Sequence, residues 1–235
     1  MQCVPQNVYQ QYRKISAVDI GMEVLRNGEN MRIIFATTNE GKMKEIRMIM
    51  ADLGMEILSM KEAGCALDIV EDGTSFEENA VIKARAVADV CSGKKGTDDA
   101  DYIVLADDSG LEVDYLNKEP GIYSARYLGE DTPYSVKNKS IIDRLDGVED
   151  EKRTARFVCA IAAVFPDGAV RTTRGTIEGI ITREPMGENG FGYDPIVYVP
   201  EFKKTTAQLT PEEKNKVSHR GKALEQMKKY IQEWM

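Results

Sequence analysis

The sequence predicts an α/β fold built on a mixed sheet. In the first half of the chain, apolar β-branched runs pass through polar turns into amphipathic helices. From Thr154 onward the periodicity changes to two and hairpin turns appear. A third observation locates candidate chemistry. The run Tyr102-Ile103-Val104-Leu105-Ala106-Asp107-Asp108-Ser109-Gly110 carries the chain inward and then delivers two carboxylates, a hydroxyl and a glycine. Open α/β sheets place ligands beyond the carboxyl ends of such strands. Asp107 and Asp108 are expected on opposite faces, so that one of them serves a site. Taken alone, the same run reads equally well as a turn that ends a strand.

Strong periodicity begins at Met31. Residues 1–30 are read either as an N-terminal extension, disordered or upstream of a functional start at Met31, or as part of the fold; residues 31–235 are expected to form a single domain. The first strand, about 32–36, runs through Thr37-Thr38-Asn39-Glu40-Gly41-Lys42 into a helix with Ile46, Ile49, Met50 and Leu53 on one stripe. A second helix follows Thr74, with Ser75 and Glu78 at capping-box spacing and Phe76, Ala80, Ala84 and Val87 inward. Cys91 to Asp101 reads as a loop before the strand that ends at Asp107-Asp108. A helix is expected over about 133–145, with Val136, Ile141, Ile142 and Leu145 inward. Thr154 to Phe165, Pro166-Asp167-Gly168 and Ala169 to Arg174 read as a hairpin, which Thr176 to Ile181 extends. Thr210-Pro211-Glu212-Glu213 opens a short helix, and the last helix starts near Ser218 and buries Leu224, Met227, Ile231 and Trp234.

The 235 residues suffice for one large domain or two small lobes, and 39 acidic against 31 basic residues give a net charge of −8. That balance speaks against a broad grip on nucleic acid, so any phosphate must be met by a local cluster. Cys3, Cys65, Cys91 and Cys159 are scattered and form no CxxC pair, which speaks against zinc and a disulfide framework and fits a reducing cytoplasm. No apolar run approaches the ~20 residues of a membrane span, and the N-terminus lacks a signal-like pattern. A cytoplasmic protein without a membrane anchor is expected.

Four polar clusters stand out. Thr37 to Lys42 links a strand to a helix, as phosphate loops do, but it is not a Walker A loop, which would need glycine at Ala36 and Ser or Thr at Met43. Free amides at a helix start plus the Lys42 ammonium still favour an anion, against the plainer reading of a capped turn. Glu71 precedes the second helix, on which Asn79 and Lys83 share a face at i, i+4; with Asp108 it could complete a carboxylate set for Mg²⁺. Gly187-Glu188-Asn189-Gly190-Phe191-Gly192-Tyr193-Asp194-Pro195 places two aromatics and an acid in a glycine-rich loop. It suits either a flat base and its ribose or a hairpin whose aromatics plug the core. Ser218-His219-Arg220 holds the one histidine of the chain, with Arg220 set against the helix dipole, and Lys214 lies four residues before it.

In this order the clusters resemble the inosine/xanthosine triphosphate pyrophosphatase family of house-cleaning purine nucleotide hydrolases. The resemblance covers essentially all of 32–235 and includes Pro120-Gly121-Ile122-Tyr123-Ser124-Ala125-Arg126. It implies Mg²⁺-dependent hydrolysis of ITP, dITP or XTP to the monophosphate and pyrophosphate. It also implies an elongated, twisted mixed sheet with flanking helices forming two lobes around a central cleft, and a homodimer. By motif, Thr37, Thr38, Asn39, Glu40, Gly41 and Lys42 would hold the triphosphate, Glu71 and Asp108 the metal, and Asp108 would be the general base. Ser109 would join the substrate contacts, Phe191, Gly192, Tyr193 and Asp194 would hold base and ribose, and Lys214, His219 and Arg220 would read the base edge. The rivals are a nucleotide-binding module without turnover and a pyrophosphatase of different base preference.

Overall fold

The computed structural model describes residues 31–65, 67–92 and 101–235; the expected extension over 1–30 lies outside them. The first apolar run forms β1 (Met31–Phe35), which pairs in parallel with β2 (Glu56–Ser59) and with β3 (Asp101–Val113). From β3 the pairing is antiparallel through β4 (Thr154–Val164), β5 (Val170–Ile181), β6 (Val197–Val199) and β7 (Lys204–Thr205). The seven strands stand in the order β2-β1-β3-β4-β5-β6-β7. The sheet is mixed, as predicted: β1, β2 and β3 are parallel and joined by helical crossovers, and the remaining pairs are antiparallel, among them the β4–β5 hairpin.

Flanking the sheet are α1 (Glu40–Met50), α2 (Phe76–Ser92), α3 (Tyr134–Arg144), α4 (Pro211–Val217) and α5 (His219–Trp234). The starts of α1, α2, α4 and α5 are set by side chains that satisfy free first-turn amides, while α3 follows Pro133 without a side-chain cap. The Asn39 side chain accepts from the Lys42 amide at 3.0 Å, Ser218 accepts from the Gly221 amide at 3.0 Å, and Thr210 and Glu213 form a reciprocal box. At α2 half of the expected box forms. Ser75 accepts from the Glu78 amide, but the Glu78 carboxylate reaches past Ser75 to Thr74, which offers it both an amide and a hydroxyl. Among the described residues no helix is long and apolar enough to cross a membrane.

The alternation of β3 explains how the sheet builds a cleft. Ile103 and Leu105 face α1 and α5 in one core with Ile33, Phe35, Ile161, Leu224 and Met227. Further along the same face, Leu111 and Val113 enter a second core with Phe157, Ile177, Ile141 of α3 and Tyr193. Asp107 and Ser109 fall between, so one face carries two apolar cores separated by a polar gap. On the opposite face Val104 and Ala106 pack under α2 with Phe76, Ala80, Ala84 and Val87 in a third core.

Several expectations are corrected. The strand does not end at Asp107-Asp108, because β4 pairs with it from Val104 to Val113 and carries it on. It is β1 that stops there, at the level of Leu105, leaving the β3 edge without a strand partner until the segment around Pro120 bridges to Glu112. β5 is one continuous strand through Gly175. Val136 is exposed; Lys137 and Asn138 turn inward instead, because the backbone offers them acceptors at the Ala125 and Gly192 carbonyls. Cys91 and Ser92 still belong to α2, and 93–100 lie outside the described residues. The short strands β2, β6 and β7 carry too few residues for a period to show.

Candidate active site

The polar gap is filled by charge. Lys42, in the first turn of α1, reaches both Asp107 carboxylate oxygens at 3.0 Å. Arg220, in the first turn of α5, donates to Asp107 at 3.1 Å and to Glu45, which lies three residues beyond Lys42 on α1. Lys214 of α4 donates to Asp194 at 2.8 Å and sits 3.4 Å from Glu45. The Phe191 ring lies 4.8 Å from the Lys214 ammonium and 5.9 Å from the Arg220 guanidinium, so an aromatic face and two cations share one wall. Burial alone would raise the Asp107 carboxyl, but Lys42, Arg220 and Lys83 hold it far below the usual carboxylate range.

His219, buried and stacked on Phe157 with centroids 5.0 Å apart, is kept neutral by burial and by the Arg220 and Lys214 charges. Its Nδ1 and the Nε of Arg220 are buried without a protein partner, two unspent polar atoms on adjacent residues. The first turn of α5 can come this close because β5 has glycine beneath it: a Cβ on Gly175 would stand 2.1 Å from the His219 carbonyl oxygen.

On the other face of β3, Asp108 accepts from Asn79 Nδ2 at 3.1 Å, and the Lys83 ammonium stands 3.1 Å from Glu71 and 3.6 Å from Asp108. Burial, together with the charges of Glu71 and Asp107, leaves the Asp108 carboxyl above its ordinary value in spite of Lys83 and Asn79. Glu71 is held by its backbone, since Arg126 donates to its carbonyl at 3.0 Å. The segment bearing Arg126 is itself pinned to β3 by Ser124, whose Oγ accepts from the Leu111 amide and donates to the Gly121 carbonyl.

The structure therefore gathers Lys42, Lys214, Arg220 and Phe191 in the gap, and Glu71, Asp108 and Lys83 behind the open edge of β3. Thr37 is buried, with its hydroxyl accepting from the Asn39 amide, while Thr38, Asn39, Glu40 and Gly41 remain exposed at the mouth of α1. Ser109 donates to Asp107 at 3.0 Å. Gly192 has φ +68° and yields its carbonyl to Asn138. Tyr193 stands apart, turned into the second core with its hydroxyl on the Ser124 carbonyl. Asp194 is also buried, accepting from Lys214, Thr206 and the Phe191 amide, so it orients the lysine and the loop.

The sequence reading missed Asp107 and Glu45, which tie the cations together. Glu45 carries a signal, its i+3 spacing from Lys42; Asp107 lies on the face of β3 opposite Asp108, and that face lines the gap.

Comparison with known proteins follows the same outline. Over 197 residues the chain is 47% identical to a dITP/XTP pyrophosphatase of Clostridium perfringens, a match covering 84% of this chain and 95% of that one. Among solved structures, the Ham1 protein of Staphylococcus aureus superposes with a TM-score of 0.74 at 38% identity, covering 87% of this chain and 100% of that one. A HAM1 protein of Coxiella burnetii gives a TM-score of 0.76 at 39% identity, covering 86% and 99% respectively. The model of the Ham1 family matches residues 33–230, a span that holds both faces of the cleft from Thr37 to Arg220, and the chain belongs to that family.

Proposed function

We propose that this protein hydrolyses deaminated purine nucleoside triphosphates, ITP, dITP and XTP, to the monophosphate and pyrophosphate. The observation that carries the reading is the meeting of three cations and an aromatic face at one gap, with a raised carboxylate just across the strand. The names of the relatives point the same way.

In this reading the α1 mouth, Thr37 to Lys42, takes the triphosphate, and the exposed turn from Thr38 to Gly41 faces the anion. Phe191 stacks on the base while Lys214, held by Asp194, bears on it from the side. Asp108 orients the attacking water and accepts its proton, since its raised carboxyl makes it a stronger base than an ordinary aspartate. His219 and Arg220 supply donors for the C6 keto oxygen. Facing the C6 amino group of adenine, the same donors would be left unpaired, which costs a few kcal/mol, or about 10²-fold in discrimination.

Glu71 and Asp108 fit a magnesium ion. Both are hard oxygen donors, and they already converge on a cation, the Lys83 ammonium. Mg²⁺ takes one or two carboxylates and fills its remaining positions with water and substrate phosphate. Among the described residues there is no group of three side chains able to cage a metal by themselves. Bound there, Mg²⁺ would neutralise charge developing on the departing pyrophosphate. A homodimer, without nucleic acid or membrane partners, and a cytoplasmic location complete the proposal; the net charge of −8 supports the part on nucleic acid, and sedimentation tests the dimer.

The test is pyrophosphate release from ITP, dITP, XTP, GTP and ATP, with Mg²⁺ and with EDTA. ITP, dITP and XTP are expected to turn over only with metal, with ATP slower by about 10² because of its C6 amino group and GTP disfavoured at its 2-amino group; absence of metal-dependent pyrophosphate from all five would overturn the reading. Gly175→Ala should lift the first turn of α5, at a cost of about 1–3 kcal/mol. Its ITP-over-ATP ratio is expected to fall more than its turnover of ITP, and an unchanged ratio would remove His219 and Arg220 from base selection.

A further inference from the structure

We propose that Cys65 and Cys91 are a thiol pair placed to close into a disulfide, a covalent staple on the segment that carries Glu71, Asn79 and Lys83. The inference does not rest on the activity proposed above. The two residues are 26 apart in sequence, yet their Sγ atoms stand 2.7 Å apart, so bond formation needs only a small side-chain movement. Cys65 is buried in the core beneath α2, held where its amide donates to the Met60 carbonyl, and Cys91 is half-buried near the far end of α2.

The difference in exposure assigns the order of events. With a disulfide oxidant such as oxidised glutathione, the Cys91 thiolate attacks one glutathione sulfur and releases the first glutathione thiol. Cys65 then loses its proton and attacks Cys91 Sγ, the Cys65–Cys91 bond forms, and the second glutathione thiol leaves. The protein gives up two electrons and two protons, and the oxidant is reduced to two thiols. Cys159 supplies an internal control, because burial pushes its thiol up to about 12 and leaves it inert.

The closed loop spans Cys65 to Cys91. Its interior is already tied at Glu71 by Arg126 and at Gly73, whose amide donates to the Asn79 side chain at 2.9 Å. A bond at its ends would restrict the same stretch in the unfolded chain without touching any site residue, so it should raise stability and leave turnover alone.

The experiment incubates the full chain with millimolar oxidised glutathione, blocks remaining thiols by alkylation under denaturing conditions and maps tryptic peptides. A peptide of residues 62–83 joined to one of residues 86–94, with Cys159 alkylated and the link removed by dithiothreitol, is the expected result. In Cys65→Ser, Cys91 should stop at the mixed disulfide with glutathione. Full alkylation of Cys65 and Cys91 in the oxidised wild type, or a wild type that itself stops at the mixed disulfide, would overturn the pairing. A thermal midpoint several degrees higher in the linked protein supports the staple; an unchanged midpoint removes that role.

Discussion

Asp108→Asn is expected to lower ITP turnover by about 10²–10⁴-fold while ITP binding changes by only a few-fold. The amide is nearly isosteric and can still meet the Asn79 side chain, so the third core has no reason to move. What disappears is a charge that the protein keeps on unfavourable terms, buried and in the field of Glu71 and Asp107. A carboxylate held this way has proton affinity to offer to water and negative charge to offer to a metal, and asparagine offers neither. Since most of the work of phosphoryl transfer is positioning and electrostatics, the loss should fall on turnover. Pyrophosphate release gives the rate and calorimetry with ITP gives the binding; parallel losses in both would mean that Asp108 serves affinity rather than chemistry.

Asp107→Asn should produce the largest loss of stability of any single change in the gap, about 3–5 kcal/mol. Asp107 is buried against Lys42, Arg220 and, at longer range, Lys83, and neutralising it takes from Lys42 its carboxylate partner and leaves the buried Arg220 with Glu45 alone. Because its folded-state carboxyl lies far below its ordinary value of 3.8, the stabilisation it supplies is full above that value. It is lost as pH falls from there through the folded value. Denaturant melts of wild type and variant should therefore differ most near neutrality and converge on acidification. A gap that stays constant down to strong acid would show that the asparagine acts through packing and not through the missing charge.

Much of this was legible in the sequence, for reasons particular to each segment. Thr210-Pro211-Glu212-Glu213 and Ser218 announced their helices because capping is local chemistry, settled within four residues. The inward stripe of α2 was equally plain, since Phe76, Ala80, Ala84 and Val87 repeat with the helical turn. The length of β3 was not legible: Asp-Asp-Ser-Gly looks like a strand end, and only the pairing with β4 overrules it. Tyr193 gave no sign of whether its ring would line the gap or fill the core, because an aromatic in a glycine-rich loop is equally suited to either. Lys137 and Asn138 were hidden for a related reason, as polar residues on a helix read as solvent-facing until a distant backbone carbonyl claims them.

The two cores on the Asp107 face share β3 and β4 as uninterrupted strands, paired without a break from Val104–Val164 to Val113–Ala155. No loop interrupts that ribbon at the level of the gap. Any narrowing of the gap around a ligand must therefore flex a continuous ladder of β3, β4 and β5, whose hydrogen bonds resist like a leaf spring, instead of swinging on a hinge. The resulting motion should be small in amplitude and elastic, so that the walls return to one resting separation each time a product leaves.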